Sequence, residues 1–490
     1  MDRRVRGIRQ RIGAALVVLV LVAGLGGAAA PAAPASGLQK VDRGVLHAVG
    51  AGRSAANWVV LRREADLSGT AAIKGWNARG WFVYRMLTSV ARSSQQSLRT
   101  LLGARRVSFR SFWIVNAIRV RSTARTLAIL AARPEVARIV PDWSARIEQT
   151  SRTAGVSAIE WNIQRIRAPE VWSTYGDFGQ NVVVANIDTG VQFDHSALKR
   201  QYRGISTIGT TVRHDYNWWD PSHVCDPQGR FPCDNVGHGT HTMGTIVGDD
   251  GAGNQIGVAP KAHWIAAKGC EGETCSSSAL LSSGQWILAP TKTDGSMPRP
   301  DMRPGAVNNS WSSSNGGDTF YQAIVQSWVA AGIFPVFSVG GQGPSCGTVG
   351  APASYPESYG ASAFDMNNVV ASFPSRGPSP LGGIIKPNVT APGVSIRSSV
   401  PMNSYAVFSG TSMAVPHVVG TVALIWTGAP AFRGDISRTR SVIDQTAIDS
   451  RDLTCGGTPG NNNVYGEGRL DAFAAVTKAK GLSAEAAGGT

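Results

Sequence analysis

Three short segments constrain this chain more than anything else in it: NIDTG ending at Gly190, GHGTHTMG starting at Gly237 and SGTSMAVPH ending at His417. Each couples a turn to a regular element. Val182 to Ile187 is an apolar, β-branched run, which predicts a buried parallel strand with Asp188 at its carboxyl end and Gly190 in the turn. His238 opens a small-residue apolar helix, and Ser412 opens another, MAVPHVVGTVALIW, after the turn Ser409-Gly410-Thr411. Asp188, His238 and Ser412 therefore stand at strand ends and helix starts, where open α/β sheets place ligands. The expected class is α/β.

Chemistry explains why these three residue types belong together. A serine hydroxyl is a weak nucleophile near neutral pH and needs a base within hydrogen-bond reach. The base in turn needs a third group that fixes its tautomer and stabilises its cation. Ser412, His238 and Asp188 supply those roles. His241, three residues after His238, reads as a packed helix histidine and not as a second base.

With these motifs the chain resembles the subtilisin-like serine peptidases, and within them the bacillopeptidase F-type branch. The likeness extends from Trp161 to Val476 through NWWDP (217–221), VNNSWSS (307–313), GPSCGTVGAPASYPES (343–358), SRGPS (375–379), KPNVTAPG (386–393) and VYGEGRLDA (464–472). It implies a doubly wound, mostly parallel sheet with helices on both faces, preceded by a small α/β pro-domain of ferredoxin-like kind. It also implies an endopeptidase that forms an acyl-enzyme, with Asp188, His238 and Ser412 catalytic. Ser310, Trp311 and Ser312 are then expected to pair with substrate backbone. Ser338, Val339 and Gly340 form the opposite wall, and Ser354 lies near the pocket floor. These segments carry no acidic residue, so an uncharged, apolar side chain is expected before the scissile bond. The family requires no cofactor but allows structural calcium; Asn388, where the family usually has aspartate, weakens an ion site there, and no calcium-loop spacing is present.

One position departs from the pattern. The family carries an asparagine whose amide donates to the oxyanion, and here Gly341 takes its place in the run Phe337 to Pro344. The Ser412 N–H remains, so half of the oxyanion hole is retained. Three outcomes follow: a slow peptidase, a substitute donor such as Gln342 or an ordered water, or a pseudopeptidase that binds peptides without turnover.

The N-terminal part reads as an export leader followed by an inhibitory pro-region. Residues 1–35 carry arginines at 3, 4, 6, 9 and 11, an apolar run from Ala14 to Ala23 and a small-residue tract, a pattern of secretion and not of a membrane span. Residues 36–150 form the expected pro-region, with strands over Trp58–Leu61, Phe112–Val120 and Val136–Val140 and helices over Ser93–Leu102 and Thr123–Ala132. Self-processing is expected between Asp142 and Ser157. The peptidase domain then covers 151–480 and a flexible tail 481–490. The net charge of +15 is unevenly placed, with 24 Lys and Arg against 7 Asp and Glu in residues 1–150, and 23 against 25 thereafter. A near-neutral main domain excludes nucleic acid as a partner. The partners expected are a peptide or protein substrate and the chain's own pro-region, with a monomer as the state.

Six cysteines, all beyond residue 224, agree with export. Short loops favour Cys225 with Cys233 and Cys270 with Cys275, leaving Cys346 for Cys455. Zinc held by Cys225 and the nearby His223 is the rival, but no CxxC spacing supports it, so no metal is assigned.

Overall fold

The computed structural model describes residues 37–50, 52–148, 150–153, 159–206 and 211–488. The export leader expected at 1–35 lies outside them. The first part of the described chain is built from β1 (Ala55–Leu61), α1 (Trp76–Ala104), β2 (Phe109–Phe112), β3 (Ala117–Ser122), α2 (Ala124–Ala131) and β4 (Val136–Pro141). Its strands form an antiparallel sheet in the order β2-β3-β1-β4.

Two sequence expectations are corrected here. The single strand expected over Phe112–Val120 is a hairpin, because Asn116 adopts a left-handed backbone with φ 42° and turns the chain. Its amide is tied in place, Nδ2 donating to the Arg63 carbonyl at 2.6 Å while Oδ1 accepts from Gln95 Nε2 at 3.0 Å. The helix expected over Ser93–Leu102 is only the second half of α1, which has 29 residues and so spans roughly 43 Å at the usual rise. That second half packs Leu98 and Leu102 into the module's own core with Val59, Ile118 and Leu127. The first half is rich in aromatic and β-branched residues, which are indifferent helix formers. It is held by docking: Val83 and Leu87 join a core that contains Trp286, Phe320 and Ile324 from much later in the chain.

Two short strands follow, β5 (Ser144–Arg146) and β6 (Thr150–Thr153). The main body then carries β7 (Val183–Asp188), β8 (Trp218–Trp219), α3 (His238–Val247), β9 (His263–Lys268), β10 (Thr274–Ser276) and α4 (Ser277–Leu288). It continues through β11 (Ala306–Asn309), α5 (Gln322–Ala330), β12 (Phe334–Ser338), β13 (Tyr359–Phe364) and β14 (Val389–Pro392). Last come β15 (Ile396–Val400), β16 (Ser404–Ser409), α6 (Thr411–Gly428) and α7 (Ala472–Gly488). Seven of these strands make a parallel sheet in the order β14-β13-β12-β11-β7-β9-β8.

Both faces of that sheet are buried, as the unbroken apolar runs predict. Val184 points to the side covered by α3 and α6, where it clusters with Met243, Val415 and Val419. Ala185 and Ile187 point to the side covered by α4 and α5, with Leu280 and Ile324. The result is the doubly wound α/β arrangement expected from sequence. The winding reverses at β7, so the carboxyl end of that strand is the switch point where such sheets leave a crevice. Helix α7 runs on to Gly488, past the boundary set at 480 for a flexible tail.

The N-terminal module shares the core on the α4–α5 side through Trp58, Val83 and Phe112. Polar anchors fix it there. Arg79 donates to the carbonyls of Ala330 at 2.5 Å, Val329 at 3.1 Å and Gly434 at 2.9 Å, the first two at the carboxyl end of α5 where a cation is favoured. Arg303 is buried with its guanidinium 3.7 Å from the centre of the Trp76 ring and donates to the Trp76 carbonyl at 2.8 Å. Burial lowers its pKa to about 9. Three disulfides close the structure, Cys225–Cys233, Cys270–Cys275 and Cys346–Cys455, in the pairing the spacing favours.

Candidate active site

Asp188 ends β7, His238 begins α3 and Ser412 lies in the first turn of α6; all three are buried. His238 Nδ1 donates to Asp188 Oδ1 at 2.7 Å, which leaves Nε2 as the basic nitrogen. The carboxylate is fixed by the Thr189 N–H at 2.8 Å on the same oxygen and by the Thr242 hydroxyl at 3.2 Å on the other. Close approach of α3 to β7 makes this possible: a Cβ on Gly239 would overlap the Gly190 carbonyl oxygen and lie 3.1 Å from Asp188 Cβ.

Ser412 and Ser310 are joined by two reciprocal bonds. The Ser412 hydroxyl donates to the Ser310 carbonyl at 3.0 Å, and the Ser310 hydroxyl donates to the Ser412 carbonyl at 2.8 Å. The second bond has a cause in the sequence. Pro416, four residues on in α6, has no N–H to give the Ser412 carbonyl, so that acceptor is free for a side chain. Ser412 and His238 share no hydrogen bond, and His238 Nε2 has no hydrogen-bond partner among the described residues. The Ser412 hydroxyl must turn off the Ser310 carbonyl before it can bond to His238.

Several residues that hold Asp188 and His238 in place have no motif of their own in the sequence. Asp234 accepts from the N–H groups of Gly237 at 2.7 Å and Thr240 at 2.8 Å, anchoring the start of α3, and from the Thr189 hydroxyl at 2.8 Å. Its place in the DNVGHGTH run was the available clue. Lys268 is buried directly across from Asp188 in the sheet register and donates to the Thr189 carbonyl and to Asn235 Oδ1. Burial pushes its ammonium pKa down, against the charges of Asp234, Asp220, Asp188 and Glu271. His241 is the packed helix histidine expected. Its ring stacks on Phe408 at 4.2 Å and its Nε2 donates to the Ile396 carbonyl at 2.9 Å, and burial lowers its pKa to about 3.

The two expected walls meet. A Cβ on Gly340 would lie 3.1 Å from Ser312 Oγ, while Ser338 and Val339 are buried beside it. Trp311 is buried and packs its ring 5.2 Å from that of Tyr321. Ser354 donates to the Gly316 carbonyl at 2.7 Å. The cleft holds part of the chain itself. Arg146 donates to the Ser312 carbonyl at 3.0 Å and accepts from the Ser312 N–H at 3.1 Å, while β5 pairs antiparallel with β10 on its other side. Beyond Gly341 the loop is tethered by the Cys346–Cys455 bridge.

No group of three His, Cys, Asp or Glu side chains that could hold a metal occurs among the described residues. Asn388 Oδ1 is taken by the Gly360 N–H at 2.8 Å and by Lys386 Nζ at 2.9 Å, a set that does not fit a calcium ion. No helix among the described residues is long and apolar enough to cross a membrane.

A model of the subtilase family matches residues 179–468. The chain is similar to Bacillopeptidase F of Bacillus subtilis (strain 168), 38% identical over 386 residues that cover 75% of this chain and 26% of that protein. It is also similar to Subtilisin E of the same strain, 29% identical over 75% of this chain and 82% of that one. Alkaline elastase YaB of Bacillus sp. (strain YaB) is 30% identical over 68% of this chain and 74% of its own. The chain thus spans about a quarter of the length of Bacillopeptidase F.

Proposed function

The chain belongs to the subtilase family of serine peptidases, and we propose that it is a secreted endopeptidase made as a precursor, with residues 36–150 as its inhibitory pro-region. Ser412 Oγ attacks the scissile carbonyl while His238 Nε2 takes its proton, and Asp188 holds the resulting imidazolium. The proton passes to the departing amine, and water then splits the acyl-enzyme by the same relay. The single observation that carries this is the buried His238–Asp188 bond of 2.7 Å at the switch point of the sheet, with Ser412 in the first turn of a helix that packs on the one His238 begins. The paired disulfides and the arginine-led N-terminus support an extracellular place.

The reaction is slow in this proposal, because Gly341 gives the oxyanion no side-chain donor; the backbone N–H of Gln342 is held by Ser375 Oγ at 3.0 Å. Gly341 is also the observation that favours a second reading, a pseudopeptidase that holds peptides in the same cleft. Expression of the full chain beside Ser412→Ala separates them. A cut between residues 142 and 157 in the wild type alone, with labelling by a serine-directed fluorophosphonate, is expected; two full-length, unlabelled proteins would end the enzyme reading.

A further inference from the structure

The segment in the cleft has a register that reaches the nucleophile. Arg146 exchanges both backbone bonds with Ser312, and Ile147 donates to the Glu273 carbonyl at 3.0 Å on the opposite wall. Antiparallel strands advance in opposite directions, so two residues beyond Arg146 the chain is opposite the residue two before Ser312. The Arg146–Ser312 bridge is isolated, and the same register carried on by two residues sets Glu148 against Ser310, whose carbonyl holds the Ser412 hydroxyl at 3.0 Å. The carbonyl of Glu148 is the one this register brings to Ser412.

The Glu148 side chain fills the space that the missing residue leaves. A Cβ built on Gly341 would overlap Glu148 Oε2 and lie 3.1 Å from its Cδ. The Gly341 N–H pulls the carboxyl pKa down against the rise that burial gives it. Any side chain at 341 takes this volume, so glycine there removes one group and admits another. Gly341 does not have the positive φ that would demand glycine for backbone reasons.

We infer that Gly341 is a specificity-determining residue, opening a cradle for the carboxyl or carboxamide of a glutamate or glutamine immediately before the bond cut, and that maturation cuts the Glu148–Gln149 bond. The inference rests on the peptidase reading above. In that step Ser412 Oγ forms an ester with the Glu148 carbonyl carbon as the bond to the Gln149 nitrogen breaks. The serine proton travels through His238 to the leaving amine, and water then releases Glu148 with a free α-carboxylate and restores Ser412. The cradle offers an N–H and no paired cation among the described residues, and burial raises the Glu148 carboxyl pKa against the pull of the Gly341 N–H. A carboxamide has the same length and presents the same acceptor oxygen, so it fits the same space. Aspartate is one methylene too short to reach. This specificity replaces the apolar preference expected from the pocket walls alone.

The test uses the secreted full chain. N-terminal sequencing of the matured wild type is expected to begin at Gln149. Matured wild type is then assayed on peptides spanning residues 143–153, either unchanged or carrying Glu148→Gln, Glu148→Asp or Glu148→Phe. The first two are expected to show at least tenfold higher kcat/KM than the last two. Gly341→Ala, which adds a Cβ but no donor, should lower kcat/KM at least tenfold on the Glu and Gln peptides and less than threefold on the Phe peptide. A mature start elsewhere, a Phe peptide cut as well as the Glu peptide, or a uniform effect of Gly341→Ala would overturn the inference. Should Gly341→Ala not fold, the wild-type panel decides alone. Turnover and fluorophosphonate labelling without the Glu and Gln preference would sink this inference only, whereas no label and no cut would sink the peptidase reading and this with it.

Discussion

Replacing Gly341 by asparagine sets two effects of opposite sign against each other, and their balance depends on the substrate. The gain is a side-chain donor to the oxyanion; loss of one such donor costs about 10²–10³ in kcat, or roughly 2.7–4 kcal/mol. The loss is steric. The new Cβ overlaps Glu148 Oε2 and stands 3.1 Å from Cδ, so a glutamate carboxyl must retreat by on the order of 1 Å to regain ordinary contact, an overpacking worth about 1–3 kcal/mol. A peptide with phenylalanine before the cut has nothing in that cradle and receives only the gain. On it kcat should rise at least tenfold with KM little changed, because the donor acts on the transition state. On the glutamate peptide the rise should be smaller by about one to two powers of ten. The assay is steady-state cleavage by matured, active-site-titrated enzymes. An unchanged kcat on the phenylalanine peptide would refute the reasoning, since another group would then already be supplying the second donor.

Two further outcomes concern the docked N-terminal module. Arg79→Ala removes three bonds to backbone carbonyls, and hydrogen bonds from a charged donor are worth about 1.5–3 kcal/mol each. The cut module should therefore bind the body at least about 30-fold more weakly, separating on size exclusion where wild type co-elutes; equal retention would refute this. The second outcome is a pH dependence. Burial pushes the Asp142 carboxyl pKa up, but hydrogen bonds from Arg119, Ser277 and Trp58 and the Arg119 charge outweigh burial and hold it below the usual range. Arg119 and Trp58 belong to the module itself and only Ser277 to the body, so a lowered carboxyl pKa here stabilises the folded chain above the unfolded value and loses that stabilisation as pH falls, here below about pH 4. Glu148, whose pKa is raised, has the opposite sign. The thermal midpoint of the full chain carrying Ser412→Ala, measured from pH 7 to 3, should fall steeply at the acid end and be flatter when Asp142→Asn is added. Parallel curves would show that Asp142 is not the titrating group.

What was legible in the sequence follows the distance over which the cause acts. The strand Val183–Asp188 and the helix Thr411–Gly428 were legible because their signals are local: a β-branched run ending in a turn, and a small-residue apolar stretch after a glycine. The disulfide pairing was legible because two of the loops are short. The first half of α1 was not, since Gly80 and its aromatic neighbours carry little helix propensity and are held by contacts with residues hundreds of positions later. The hairpin at Asn116 was missed because one asparagine in an apolar run is weak punctuation until its amide is seen bonded to Arg63 and Gln95.

The candidate site divides the same way. Asp188, His238 and Ser412 announce themselves through their flanks, and even Pro416 is visible in the motif, yet its effect is not. The carbonyl it frees on Ser412 is taken by a serine 102 positions away. Gly341 shows the limit most clearly. In the motif it reads as a subtraction, a donor gone and a rate lowered. In the folded chain the vacated volume has an occupant, Glu148, from a segment with no motif of its own. The consequence of a missing side chain depends on what fills its place, so one glycine can both lower the rate of the reaction and define the substrate on which that rate is spent.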